Sequence, residues 1–76
     1  MSSNLNAEVV TKIIVNGNKR ISEETIKVYG GIELNKDLTE NDLNQILNDL
    51  YSTDFFEDID INLQNQTLTI NLKEHP

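Results

Sequence analysis

The sequence predicts an α+β fold, a two-layer β-α-α-β-β sandwich in which a three-stranded mixed sheet carries two helices on one face. Three observations lead there. Leu43, Ile46, Leu47 and Leu50 stand at i, i+3, i+4 and i+7, the single apolar stripe of an amphipathic helix. The segments DIDINL and TLTINL each alternate strictly, on either side of Gln64-Asn65-Gln66, as the two arms of a hairpin do. Finally, Val9–Val15 is rich in β-branched residues and closes on Asn16-Gly17-Asn18, whose glycine and asparagines tolerate the positive φ of tight turns.

Taken in order, residues 1–7 read as a disordered lead-in and residues 8–76 as a single domain. Apolar residues of both parities between Val9 and Val15 predict a strand at least partly buried on both faces. Ser22 is the expected cap of the first helix, with Glu23 and Glu24 where the helix dipole favours negative charge. Ile21 and Ile26 take the staple positions around that cap. Gly30-Gly31 stops the helix, and GIELNKDL follows as a connector anchored by Ile32, Leu34 and Leu38. Thr39, with Asp42 three residues on, forms an aspartate variant of the capping box for the second helix. The expected core is Ile13, Leu43, Ile46, Leu47, Leu50, Phe56, Ile59, Ile61, Leu68 and Ile70. If successive elements run antiparallel, the first strand lies parallel to the third and beside it, which leaves DIDINL on an edge.

Composition narrows the function. Six Lys+Arg against thirteen Asp+Glu give a net charge of -7. Nucleic acid is an unsuitable partner for such a chain, because that affinity comes from clustered cations that neutralise phosphates. An anionic membrane surface would repel it too, and no apolar run is long enough to span a bilayer. No cysteine is present, so neither a disulfide framework nor a thiolate metal site is expected. Glu57, Asp58 and Asp60 invite a cation site, and Asp58 and Asp60 share a strand face about 7 Å apart. No third ligand type stands nearby, and a solvated strand face accounts for them. His75 reads as a surface residue, Lys19-Arg20 as a solvated turn, and Tyr29 and Tyr51 as packing residues with wet hydroxyls. No catalytic residue, metal ligand or cofactor is expected, and the chain does not read as an enzyme.

The local words and their order resemble a POTRA (polypeptide-transport-associated) domain. The resemblance rests on Ile13-Ile14-Val15-Asn16-Gly17-Asn18 with Arg20-Ile21, then Leu50-Tyr51-Ser52-Thr53 and Phe55-Phe56-Glu57-Asp58-Ile59, and last Leu68-Thr69-Ile70 with Glu74-His75-Pro76. It is closest to the first module of the tandem arrays ahead of outer-membrane barrel-assembly insertases. Family members often carry glycine where Asp54 stands, and again near Lys36. The resemblance implies a periplasmic interaction module that handles unfolded outer-membrane polypeptides. Periplasmic chaperones or assembly lipoproteins, and neighbouring modules of the same kind, would be its partners. The domain itself would not enter the membrane. A spacer or docking module of a two-partner secretion transporter or a cell-division protein is the alternative.

Two sites follow from this reading. Without a glycine after the second helix, Asp54, alone or together with Thr53, is expected to make the left-handed turn of the chain. The expected peptide-binding surface is the edge strand with a groove beside the second helix: Phe55, Glu57, Asp58, Ile59, Asp60, Ile61 and Asn62. Extended polypeptide would add there as a further strand. Phe56 is expected in the core, whereas Phe55 either covers the helix end or lines that groove.

Overall fold

A computed structural model describes residues 7–76. Seven elements follow one another: β1 (Ala7–Val10), β2 (Lys12–Asn16), α1 (Glu23–Gly30), β3 (Lys36–Thr39), α2 (Glu40–Ser52), β4 (Phe56–Gln64) and β5 (Thr67–Glu74). The main sheet has the order β2-β5-β4, with β2 parallel and β4 antiparallel to the central β5. The helices contribute Ile26, Ile46 and Leu50 to a core shared with Phe56, Ile59, Leu68, Ile70 and Leu72 of the sheet. The predicted two-layer sandwich and its edge strand are therefore present.

The expected single strand Val9–Val15 is in fact two strands in different sheets. β1 pairs antiparallel with β3, a strand inside the supposed connector, to make a separate two-stranded ribbon. Thr11 is the break, and its amide donates to the Gln66 carbonyl at the hairpin tip (2.9 Å). The mixed parity has two causes: Val10 reaches the core from β1 with Thr11 spent on the junction, and within β2 Ile13 and Val15 pack against the core while Ile14 is half-buried on the opposite face. The opposite face of the main sheet is mostly polar, with Lys12, Asn16, Asn71, Asp60 and Asn62 exposed around the half-buried Ile14. Of the connector anchors, Ile32 and Leu38 are buried, but Leu34 is 48% exposed because the chain turns at Asn35 (φ 62). That left-handed residue stands one position before Lys36, which is itself in β3. Ile13, Leu43, Leu47 and Ile61 are partly buried and pack around the core rather than forming it, while Val10, Ile26, Ile32, Leu38 and Leu72 complete it. The expected lead-in lies outside the described residues except for Ala7, which opens β1.

Local chemistry sets the helix boundaries. The Ser22 hydroxyl accepts from the Thr25 amide (3.2 Å). At the other end Gly31 (φ 64) closes α1, its amide donating to Val28 and that of Ile32 to Lys27. Thr39 and Asp42 form the full capping box of α2, each side chain accepting from the other residue's amide. The hairpin turn is Asn65-Gln66 with both residues left-handed (φ 53 and 61), the geometry of a type I′ loop, made here without glycine.

Asp54 ends α2 as expected, with φ 65. A left-handed conformation costs a side chain roughly 1 kcal/mol that glycine avoids. Asp54 also places negative charge at a helix C-terminus, in a last turn with no basic residue. Both effects have the same sign, so Asp54→Gly is expected to raise stability by about 1 kcal/mol, read as a rise of roughly 4–8 °C in Tm. A fall in Tm would show that the Asp54 carboxylate contributes something its position does not explain.

Candidate edge-strand interface

β4 runs for nine residues along one outer edge of the main sheet, and among the described residues nothing pairs with its far side. Its register identifies which backbone groups face outward. Gln64 and Thr67 flank a two-residue turn and therefore exchange hydrogen bonds with each other. Alternation then points the amides of Asn62 and Asp60 toward β5, and those of Leu63, Ile61 and Ile59 toward the open edge. The side chains follow the opposite logic. Ile59, Ile61 and Leu63 turn toward the helices, with Ile59 buried and the other two half-buried, while Asp60 and Asn62 stand on the polar face.

The first part of the strand is less regular. Phe56 pairs with Glu74 and Asp58 with Lys73, so Glu57 is an extra residue that bulges the strand. Its carboxylate lies 3.4 Å from the Lys73 ammonium in an exposed pair of little energetic consequence. Phe55, just before the strand, does not join the edge. Its ring lies 5.6 Å from Tyr29 on α1 and edge-on to Phe56 at 6.3 Å. With Arg20, Ile21 and His75 it borders a cleft of about 320 Å³ beside the start of β4. The expected surface therefore divides. Ile59 to Asn62 lie together on the edge, and Phe55 belongs with α1. Leu63 was missing from the expected set because only the register reveals that its amide faces out.

Tyr51 is the second residue the sequence did not reveal. Its ring is 41% exposed, but its hydroxyl is not simply wet, since it accepts the Ile59 amide at 3.1 Å. No periodicity signals such a contact. It depends on the last turn of α2 lying over the start of the edge.

At the same end of the sheet, where Glu74 pairs with Phe56, the Glu74 carboxylate accepts the backbone amides of Lys19, Arg20 and Ile21. The Lys19-Arg20 turn is thus exposed in its side chains but tied down through its backbone, and the Arg20 guanidinium adds a bond to the His75 carbonyl (3.2 Å). These contacts hold the Glu74 carboxyl below the usual carboxylate range, chiefly through the Lys19 amide. Asp42 is lowered likewise by the Thr39 amide. A carboxyl depressed in the folded state stabilises fully above its unfolded value and loses that contribution as pH falls through the folded one. Stability is therefore expected to drop as the solution is acidified below the ordinary carboxylate values of 4.5 and 3.8. Glu74→Gln should flatten that acid limb of the Tm profile, and an unchanged profile would mean that the capture of the loop is not felt.

Among the described residues no three His, Asp or Glu side chains come together where a metal ion would be held. Asp58 and Asp60 stand on the polar strand face, exposed, with Lys73 and Asn71 beside them across the ladder. That surroundings set is a solvated sheet face.

Comparison with known proteins places this geometry in context. The family model for POTRA, described as a surface antigen variable number repeat, matches residues 8–75. The outer membrane protein assembly factor BamA of Neorickettsia risticii (strain Illinois) is 30% identical over all 76 residues, which amount to 10% of that protein's length. Among solved structures, the N-terminal domain of Omp85 from the thermophilic cyanobacterium Thermosynechococcus elongatus matches 96% of this chain and 33% of its own, with a TM-score of 0.83 at 17% identity. The POTRA1-2 structure of the periplasmic domain of Omp85 from Anabaena matches 92% of this chain and 48% of its own, with a TM-score of 0.72 at 13% identity.

Proposed function

The chain belongs to the POTRA family, and on that premise we propose that it is a periplasmic interaction module of an outer-membrane assembly protein, the first of a tandem array. Its work is to receive extended segments of unfolded outer-membrane polypeptides and to dock periplasmic chaperones or assembly lipoproteins and the neighbouring modules. This is a binding task rather than a catalytic one. The similarity to an assembly factor over the whole of this chain supports the reading. The observation that carries the binding site is the open edge of β4, whose outward amides at Ile61 and Leu63 lie between half-buried apolar side chains and an acidic strand face. Backbone donors and acceptors on such an edge give affinity for an extended segment, and the flanking side chains select it.

The test is an amide chemical-shift titration of the domain with peptides taken from outer-membrane β-strands. Shifts concentrated on Asp60–Gln64 are the expected result. Proline at Asp60 or Asn62 does not serve as the control, since their amides bond to β5 and the substitution would break the ladder instead of the edge. No shifts at millimolar peptide would turn the reading toward a spacer that only sets the angle between its neighbours.

A further inference from the structure

We infer that Tyr51 is the stop of the β4 edge: its hydroxyl occupies the Ile59 amide and confines an added strand to Ile61 and Leu63. This deepens the edge-binding reading above and rests on it. Residues that pair across an antiparallel ladder without exchanging hydrogen bonds point both their N–H and C=O to the opposite side. In β4 those residues are Ile59, Ile61 and Leu63, facing Leu72, Ile70 and Leu68. Of their outward amides, that of Ile59 is already taken, by a phenol 3.1 Å away on the last turn of α2. The bulge at Glu57 disrupts the same end of the strand. At the far end the Asn65-Gln66 turn finishes it. What remains is a short open segment, long enough for an added strand to pair at two positions.

The chemistry of the occupant follows from the two sides of that segment. Toward the helices an added strand would lie beside Ile61 and Leu63, which asks for apolar side chains. On the other face it would lie beside Asp60 and Asn62, which face Asn71 and Thr69 and no cation across the ladder. Basic or neutral polar residues suit that face, and acidic ones are repelled. The occupant is an extended peptide alternating apolar with basic or neutral polar residues. Closing part of a long edge is also a familiar protection against indiscriminate pairing. Tyr51 thus does for the first half of β4 what a covering loop would do, through one hydroxyl.

Tyr51→Phe isolates the hydroxyl while keeping the ring. In the free domain, amide exchange at Ile59 is expected to accelerate about tenfold or more in the variant, with Ile61 and Leu63 unchanged. An unchanged Ile59 exchange rate would overturn the capping of the edge by Tyr51. The second measurement titrates both proteins with a peptide alternating valine and lysine. In the unaltered protein the shifts should cover Ile61 and Leu63 and stop short of Ile59. In Tyr51→Phe they should reach Ile59, with affinity raised about threefold to tenfold, the worth of one further net hydrogen bond. Shifts running through Ile59 in the unaltered protein would overturn the stop and leave edge binding standing. No shifts in either protein would overturn edge binding itself, and with it the role of Tyr51 as its stop.

Discussion

Gly17→Ala is expected to destabilise the domain by roughly 2–4 kcal/mol, from two independent causes. Gly17 has φ +90, a backbone conformation that a side chain adopts only under strain. A Cβ built there would also stand 2.0 Å from the Leu72 carbonyl oxygen, a backbone atom of the central strand. Leu72 is buried and paired with Ile59, so neither partner can move aside cheaply. At roughly 0.05–0.15 kcal/mol per residue, a chain of 76 residues has about 4–11 kcal/mol of stability in all. The substitution thus removes a large share of it. The measurement is a urea or thermal unfolding curve, where Tm should fall by roughly 10 °C or more. A Tm within a few degrees of the parent would mean that the β2–α1 turn relaxes away from Leu72, and the close approach would then not be a constraint.

The adjacent phenylalanines at the end of α2 give the second large effect through their difference. Phe56 is 3% exposed and opens β4 in the core beside Leu50, which is fully buried. Phe56→Ala removes a ring from close packing and leaves a cavity, at a cost of about 3–5 kcal/mol. Phe55 is 42% exposed, and its ring lies against Tyr29 and Phe56 on the surface of the helical layer. Its truncation loses part of an aromatic contact, about 0.5–1.5 kcal/mol. Unfolding curves of the two variants should therefore separate clearly, with Phe56→Ala near the limit of folding at all. Equal losses would mean that Phe55 anchors α1 to the β4 corner far more firmly than its exposure indicates. The corner itself needs no glycine, because Asp54 takes the left-handed turn that leads from one element to the next.

By itself the sequence determined the features that arise from neighbours a few residues apart. The Ser22 and Thr39 caps, the Gly31 stop, the α2 stripe, the hairpin at Asn65-Gln66 and the left-handed Asp54 all come from local sterics and hydrogen bonding, which side-chain identity and spacing encode. Alternation in β4 and β5 correctly assigned the inward residues Ile59, Leu68 and Ile70 for the same reason. Even the open edge was legible, since antiparallel succession makes the first strand parallel to the third, and its apolar sequence suits a place beside that strand, which leaves the second strand outside.

Contacts between distant residues decided the rest. The short strand Lys36–Thr39 has no apolar alternation to announce it, and it forms only because β1 comes alongside. The same pairing splits the expected first strand at Thr11 and sends Val10 into the core. Which amides of β4 face outward depends on the pairing of Gln64 with Thr67, and the Tyr51 hydroxyl meets the Ile59 amide only where α2 packs across the strand. Likewise the Glu74 carboxylate meets the amides of Lys19–Ile21 across more than fifty residues of chain. A hydrogen bond of that kind carries no period and no fixed spacing. It is decided by where the folded backbone brings two groups, and only the tertiary structure contains that.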